Sequence, residues 1–298
     1  MKKLLGTLGL LLALGSPTAQ AIDIEFDFTY DTSSFFSDTD RFKALDAAAA
    51  VFENRLTDNL DAITSSGVNA FDFRFFDPSD PFSGVPITLA GQSLPAGTLR
   101  VFVGSADLGA SLGIGGHGGY SCNGIGTFCA DASSRGQGIV SGPGATDFGP
   151  WGGFISFSST ATWHFGLDTN GLDSSKNDFY SVAVHELAHV LGFGTADSFE
   201  NRVIGGSFVG PTVGSAALSG DGAHWAPGTM SIVNGAGSQV ANMVPALLQG
   251  TRAEFTDLDY AAMRDIGWQV TAVPEAQTWL MLAAGLGVLT LIGRRRQI

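Results

Sequence analysis

Apolar positions recur at helical spacing through residues 40–63, where Phe42, Leu45, Ala49, Phe52, Leu56 and Leu60 share one face. The pattern predicts an amphipathic helix. The period then shortens to two. Phe71-Asp72-Phe73-Arg74-Phe75 alternates as a half-buried strand does, and 99–103 and 154–157 read as further strands. Residues 104–153 are rich in Gly and Ser and are expected to form a long surface loop. Helical spacing returns over 178–191, with N-cap candidates in 174–178 and Gly192 and Gly194 as its stop. Residues 195–253 carry many Gly and few helix formers and read as irregular. A last helix is expected over 256–266, capped by Thr256. No internal repeat or interior linker interrupts this order. The expectation is one α+β domain over 22–272. Its upper part, 22–191, holds a twisted mixed sheet and the helix, and its lower part, 192–272, is smaller and irregular.

The two ends follow other rules. Lys2 and Lys3 precede an apolar run over 4–14, and small residues lead to Ala19-Gln20-Ala21. That is the basic, apolar, small order of a secretory signal peptide over 1–21, with cleavage expected after Ala21. At the other end, Val273-Pro274-Glu275-Ala276 precedes an apolar run over 279–293 and then Arg294-Arg295-Arg296. The run is shorter than the ~20 residues of a full bilayer crossing. Trp279 suits one interface and the arginines suit the cytoplasmic side. The three-part pattern resembles the PEP-CTERM sorting signal of Gram-negative bacteria, with Ala276 where a second proline is usual. The resemblance implies transient membrane anchoring through 273–298 and processing by exosortase-like machinery. The mature protein would then sit at the cell surface or outside the cell. A plain C-terminal anchor is the alternative. Export implies an oxidising compartment, where Cys122 and Cys129 are expected to form a disulfide.

Composition narrows the class. The chain has 298 residues, 44% of them hydrophobic and 14% charged, with 41 Gly, which suits neither a coiled coil nor a disordered chain. Between residues 22 and 272 there are 10 basic and 27 acidic side chains. So acidic a body repels nucleic acid and anionic lipid, and no nucleic-acid partner is expected. No D-x-[DN]-x-[DN]-G loop appears, so a structural Ca2+ among the acidic loops is left open and unplaced.

The candidate chemistry centres on His185-Glu186-Leu187-Ala188-His189. Residues four apart lie on one helix face, so both imidazoles reach one ion, and neutral imidazole suits Zn2+. Glu186, beside the first ligand, is placed to take a proton from water at the metal. A third protein ligand is needed. Gly192 matches the glycine of the short metzincin motif H-E-x-x-H-x-x-G-x-x-H, but Thr195 stands where that motif ends in His. Of the remaining histidines, His224 precedes Trp225 in Gly220-Asp221-Gly222-Ala223-His224-Trp225. This resembles the leishmanolysin-like metzincins, in which an insertion separates the glycine from a late His-Trp ligand. Asn242-Met243-Val244-Pro245 is similar to the family's methionine turn, and 258–268 to its final helix and exit.

The resemblance covers about 178–268, and secreted bacterial metalloproteases with PEP-CTERM tails show the same order of parts. It implies a zincin/metzincin-like fold, Zn2+ on His185, His189 and His224, Glu186 as catalytic base and Met243 beneath the metal. It also implies an exported endopeptidase acting on protein or peptide substrates. Rival ligands are Asp197 and Glu200, and Met230 rivals Met243. His164 is expected to pack beside a strand, and His117 to sit exposed in a loop. Strand 154–157 is a candidate edge that could hold an extended substrate by main-chain pairing. Thr195 motivates a second reading, a non-catalytic envelope or matrix protein that keeps zinc for structure.

Overall fold

The computed structural model describes residues 22–271; the predicted signal peptide and C-terminal sorting segment lie outside them. The upper part runs β1 (Asp23–Asp27), α1 (Thr39–Glu53), β2 (Ala70–Phe75), β3 (Ile87–Leu89), β4 (Thr98–Ala106), β5 (Gly113–His117), β6 (Gly119–Asn123), α2 (Phe128–Ser134), β7 (Gly152–Ser158), β8 (Trp163–His164), β9 (Asn177–Asp178) and α3 (Phe179–Val190). The lower part adds α4 (Asp197–Glu200), β10 (Val203–Ile204), β11 (Ser207–Gly210), β12 (Gly214–Ala217), β13 (Met230–Val233), β14 (Ala236–Val240) and α5 (Asp257–Asp265). The class is α+β, as expected.

The main sheet has the order β1-β4-β7-β5, with β5 antiparallel to β7 and the other neighbours parallel. Alternation along its strands divides the apolar residues between two cores. Leu99, Val101 and Val103 of β4 and Ile155 and Phe157 of β7 face the cluster that holds α1 and α3. Phe102 and Phe154 face a second cluster with Phe71, Phe73 and Phe75 of β2, where the Phe73 ring stacks on Trp151 at 4.0 Å. The predicted alternation of Phe71, Phe73 and Phe75 is therefore the covering layer of that second core. The larger cluster runs from Ile22 to Trp268 and so joins upper and lower parts.

Four expectations are corrected. The helix predicted over 40–63 ends at Glu53. Asn54, Thr57, Asp58 and Asn59 are poor helix formers, and the chain there pairs with its far end instead: Thr57 N–H donates to Gln269 O (3.0 Å) and Thr271 N–H to Arg55 O (2.8 Å). Leu56 and Leu60 are buried all the same. Residues 104–153 are not one surface loop. They contain β5, β6 and α2, with Cys122 of β6 disulfide-bonded to Cys129 of α2. Strand 154–157 is not an edge either; as part of β7 it pairs with β4 on one side and β5 on the other. Residues 195–253, read as irregular, carry α4 and two small antiparallel sheets. The β13–β14 turn uses Asn234 and Gly235, both at positive φ, the pair favoured in type I′ hairpins. Among the described residues no helix is long and apolar enough to cross a membrane.

The start of α3 is fixed from below. Asp178 is its N-cap, fully buried, and its carboxylate accepts from Ser181 N–H (3.2 Å) and Ser181 Oγ (2.6 Å). Arg252 closes the arrangement, donating from Nε (2.9 Å) and Nη2 (2.8 Å) to the two carboxylate oxygens. Removing one partner of a buried ion pair leaves an uncompensated charge. Arg252→Met is expected to lower unfolding free energy by about 3–5 kcal/mol in denaturant titration; a loss below ~1 kcal/mol would mean that Asp178 is satisfied without it.

Candidate metal centre

His185 and His189 lie one turn apart on α3, and both rings point to the same face. The helix stops at Gly192, whose φ of 98° belongs to the region glycine favours and where a Cβ would come within 2.8 Å of the Phe148 ring. Thr195 does not reach the ligand set. Its hydroxyl donates to His189 O (2.7 Å) and so closes the last turn of α3. The chain then makes the excursion through α4 and β10–β12 and returns with His224.

The three Nε2 atoms converge: His185–His189 3.1 Å, His189–His224 3.0 Å and His185–His224 3.1 Å. Each Nδ1 faces an atom that only accepts. His185 Nδ1 donates to Asn242 O (2.9 Å), His189 Nδ1 to Phe193 O (2.8 Å) and His224 Nδ1 to the Asp221 carboxylate (2.8 Å). A neutral imidazole carries one proton, and here it must sit on Nδ1. The three Nε2 atoms therefore present bare lone pairs to one another. No hydrogen bond can join them, and three lone pairs turned on one point form a group that could hold a metal ion. Burial and the neighbouring imidazoles push His185 well below its ordinary pKa and His189 down to about 4, which keeps these two rings in the neutral, ligating form. Among the described residues this is the one group of three or more His, Cys, Asp or Glu side chains whose ligand atoms converge. Three imidazoles suit a divalent transition metal.

The chain matches no known protein family, no characterised protein and no solved structure with which it was compared. Its chemistry has to be argued from the site.

Glu186 lies under β5. A Cβ at Gly113 would fall 2.5 Å from its Oε1, and one at Gly115 would fall 2.6 Å from its main-chain oxygen. Burial pushes the Glu186 carboxyl up to about 8. Met243 is fully buried and its carbonyl accepts from Trp225 N–H (2.9 Å), while Met230 is 55% exposed on β13. The rival ligands lie elsewhere. Asp197 accepts from Gly142 N–H, and Glu200 is exposed at the end of α4. His164 is buried beside β9, as expected, with Nε2 bonded to Asp168 O (2.8 Å). His117 is not in an exposed loop. It ends β5, half-buried, with Nε2 bonded to Thr195 O (3.0 Å) and its ring edge-on to Phe148.

Sequence reading missed the groups that hold the imidazoles. Asp221 had a signal, a carboxylate three residues before His224 in a Gly-flanked turn. The carbonyls of Asn242 and Phe193 had none, because main-chain acceptors leave no trace in residue type.

The lowered pKa values carry a sign. Below about pH 6.5 the unfolded imidazoles take up protons that His185 and His189 refuse in the fold, so the unfolded state binds more protons there and gains on acidification. The contribution of these two imidazoles to the stability of metal-free protein is expected to fall as pH drops from 6.5 towards 4, against the opposite contribution of the buried Glu186 carboxyl. Melting temperatures of chelated wild type and His189→Asn across that range check it: the variant should gain relative to wild type as the pH falls.

Proposed function

We propose that this chain is an exported zinc-dependent endopeptidase of metzincin type, with His185, His189 and His224 as ligands and Glu186 as general base. One observation carries the reading: three unprotonated Nε2 atoms converge within 3.0–3.1 Å of one another, one residue from a buried glutamate. Zinc–nitrogen bonds of ~2.0–2.1 Å in tetrahedral geometry put ligand nitrogens roughly 3.3 Å apart, so a small opening of the triangle accommodates the ion. Three protein ligands with one position left open is the catalytic rather than the structural type of zinc site.

Bound there, zinc supplies Lewis-acid polarisation of a peptide carbonyl and acidifies water. The remaining work falls to the chain's own groups. Glu186, buried beside the first ligand, would take a proton from water and pass it to a leaving amine. β5 is the edge of the main sheet on the α3 side, and its unpaired main chain can accept an extended peptide as an added strand. The expected edge function thus moves from 154–157 to Gly113–His117.

Purified protein incubated with a peptide library tests the proposal. Cleavage that stops on chelation and returns with Zn2+ is the expected result. Tight zinc binding with no cleavage of any peptide would favour the structural-zinc alternative.

A further inference from the structure

One buried carboxylate touches both the segment that bears His224 and the segment whose carbonyl holds His185 Nδ1. Asp259 lies in the first turn of α5 and is fully buried. Its Oδ2 accepts from Thr256 N–H (2.8 Å), Thr256 Oγ1 (2.7 Å) and Asn242 N–H (3.1 Å). Its Oδ1 accepts from Trp225 Nε1 (2.8 Å) and, at 3.4 Å, from Met243 N–H. Trp225 follows the ligand His224. Asn242 is the residue whose carbonyl holds His185 Nδ1. Trp225 N–H also donates to Met243 O (2.9 Å), so the two segments are tied to each other as well as to α5.

A capping box accounts for only part of this. The box needs an N3 carboxylate that accepts from the N-cap N–H, and Oδ2 does that for Thr256. Such a carboxylate can sit in solvent. Here it is buried at a cost that five neutral donors offset only in part, with no cation within ion-pair distance among the described residues. Three of the five donors belong to the Trp225 and Asn242-Met243 segments. The capping role explains none of those three.

We infer that Asp259 is a positioning residue of the metal centre, setting the distance between His224 and His185 by anchoring the residue next to one and the carbonyl that orients the other. This rests on the metal-centre reading above. Outer-shell partners of metal ligands typically change affinity by about 10–100-fold when removed.

The experiment compares Asp259→Asn with Thr256→Ala in the full chain loaded with Co2+, whose visible spectrum reports ligand geometry. In Asp259→Asn the amide must turn its NH2 towards donors on one side. The expected result is a changed Co2+ spectrum and metal affinity lowered by about tenfold or more. Thr256→Ala breaks the capping box alone. It is expected to lower the melting temperature and leave the Co2+ spectrum in place. Should Asp259→Asn fail to fold, Trp225→Phe removes one Oδ1 donor while keeping an aromatic ring, though a smaller one, in the buried position, and an altered spectrum is again expected. An Asp259→Asn protein with wild-type spectrum and affinity, or an unaltered Trp225→Phe if that variant has to decide, would overturn the inference while leaving the metal centre standing. Wild type that takes up no Co2+ would overturn both.

Discussion

Glu186→Gln is expected to lower kcat for peptide cleavage by roughly 10²–10⁴ while metal content stays at the wild-type level. The size follows from the role. A glutamine amide occupies the same space, but it cannot take a proton. The surroundings make the exchange clean. Glu186 is clamped between α3 and a strand whose glycines leave no room for even one added carbon at residue 113. Neither helix position nor imidazole geometry has reason to move. None of the three imidazole Nδ1 partners involves this side chain. Steady-state kinetics on a cleaved peptide, with elemental analysis of bound zinc, separate the outcomes. Full activity in the variant would remove Glu186 from the mechanism. Lost zinc would make it a structural support rather than a base.

That strand also shows where sequence reading reached its limit. The helix α3, its Asp178 cap, its glycine stop and the four-residue spacing of two histidines are all local, and periodicity and cap chemistry made them legible. Gly113-Ile114-Gly115-Gly116-His117 looked like a loop because glycine has low strand propensity and offers no alternation. The glycines are there because the main chain passes within contact of Glu186, a tertiary demand invisible in the local pattern. The burial of β7 did leave a trace: Phe154, Ile155 and Phe157 form a nearly continuous apolar run, the mark of a strand covered on both faces rather than of an edge. The helix expected over 40–63 runs past the end of α1 because Leu56 and Leu60 keep helical spacing by sequence, while in the fold Leu56 pairs with Val270 and the Leu60 carbonyl accepts from Gly97 N–H. His224 was reachable only through its resemblance to a family pattern, since spacing alone ties a residue 35 positions beyond His189 to nothing.

His224→Ala therefore tests most of the argument at once, and zinc affinity is expected to fall by more than the roughly 10–100-fold that loss of an outer-shell partner costs. Two helix imidazoles remain after the substitution, and two nitrogens do not make a closed zinc coordination shell. The fold should survive. His224 is partly exposed, with a side-chain accessibility of 20%, and its segment is anchored without it: Trp225 is fully buried and held through Met243 O and Asp259. A melting temperature for the metal-free variant near that of metal-free wild type, together with weakened zinc uptake, is the expected pair of results. Cleavage at saturating zinc should fall with it, because the open position depends on the other three being filled from the protein. Zinc affinity indifferent to this substitution would mean that the ion, if bound at all, is held elsewhere, and the leishmanolysin-like order of parts would lose its meaning for this chain.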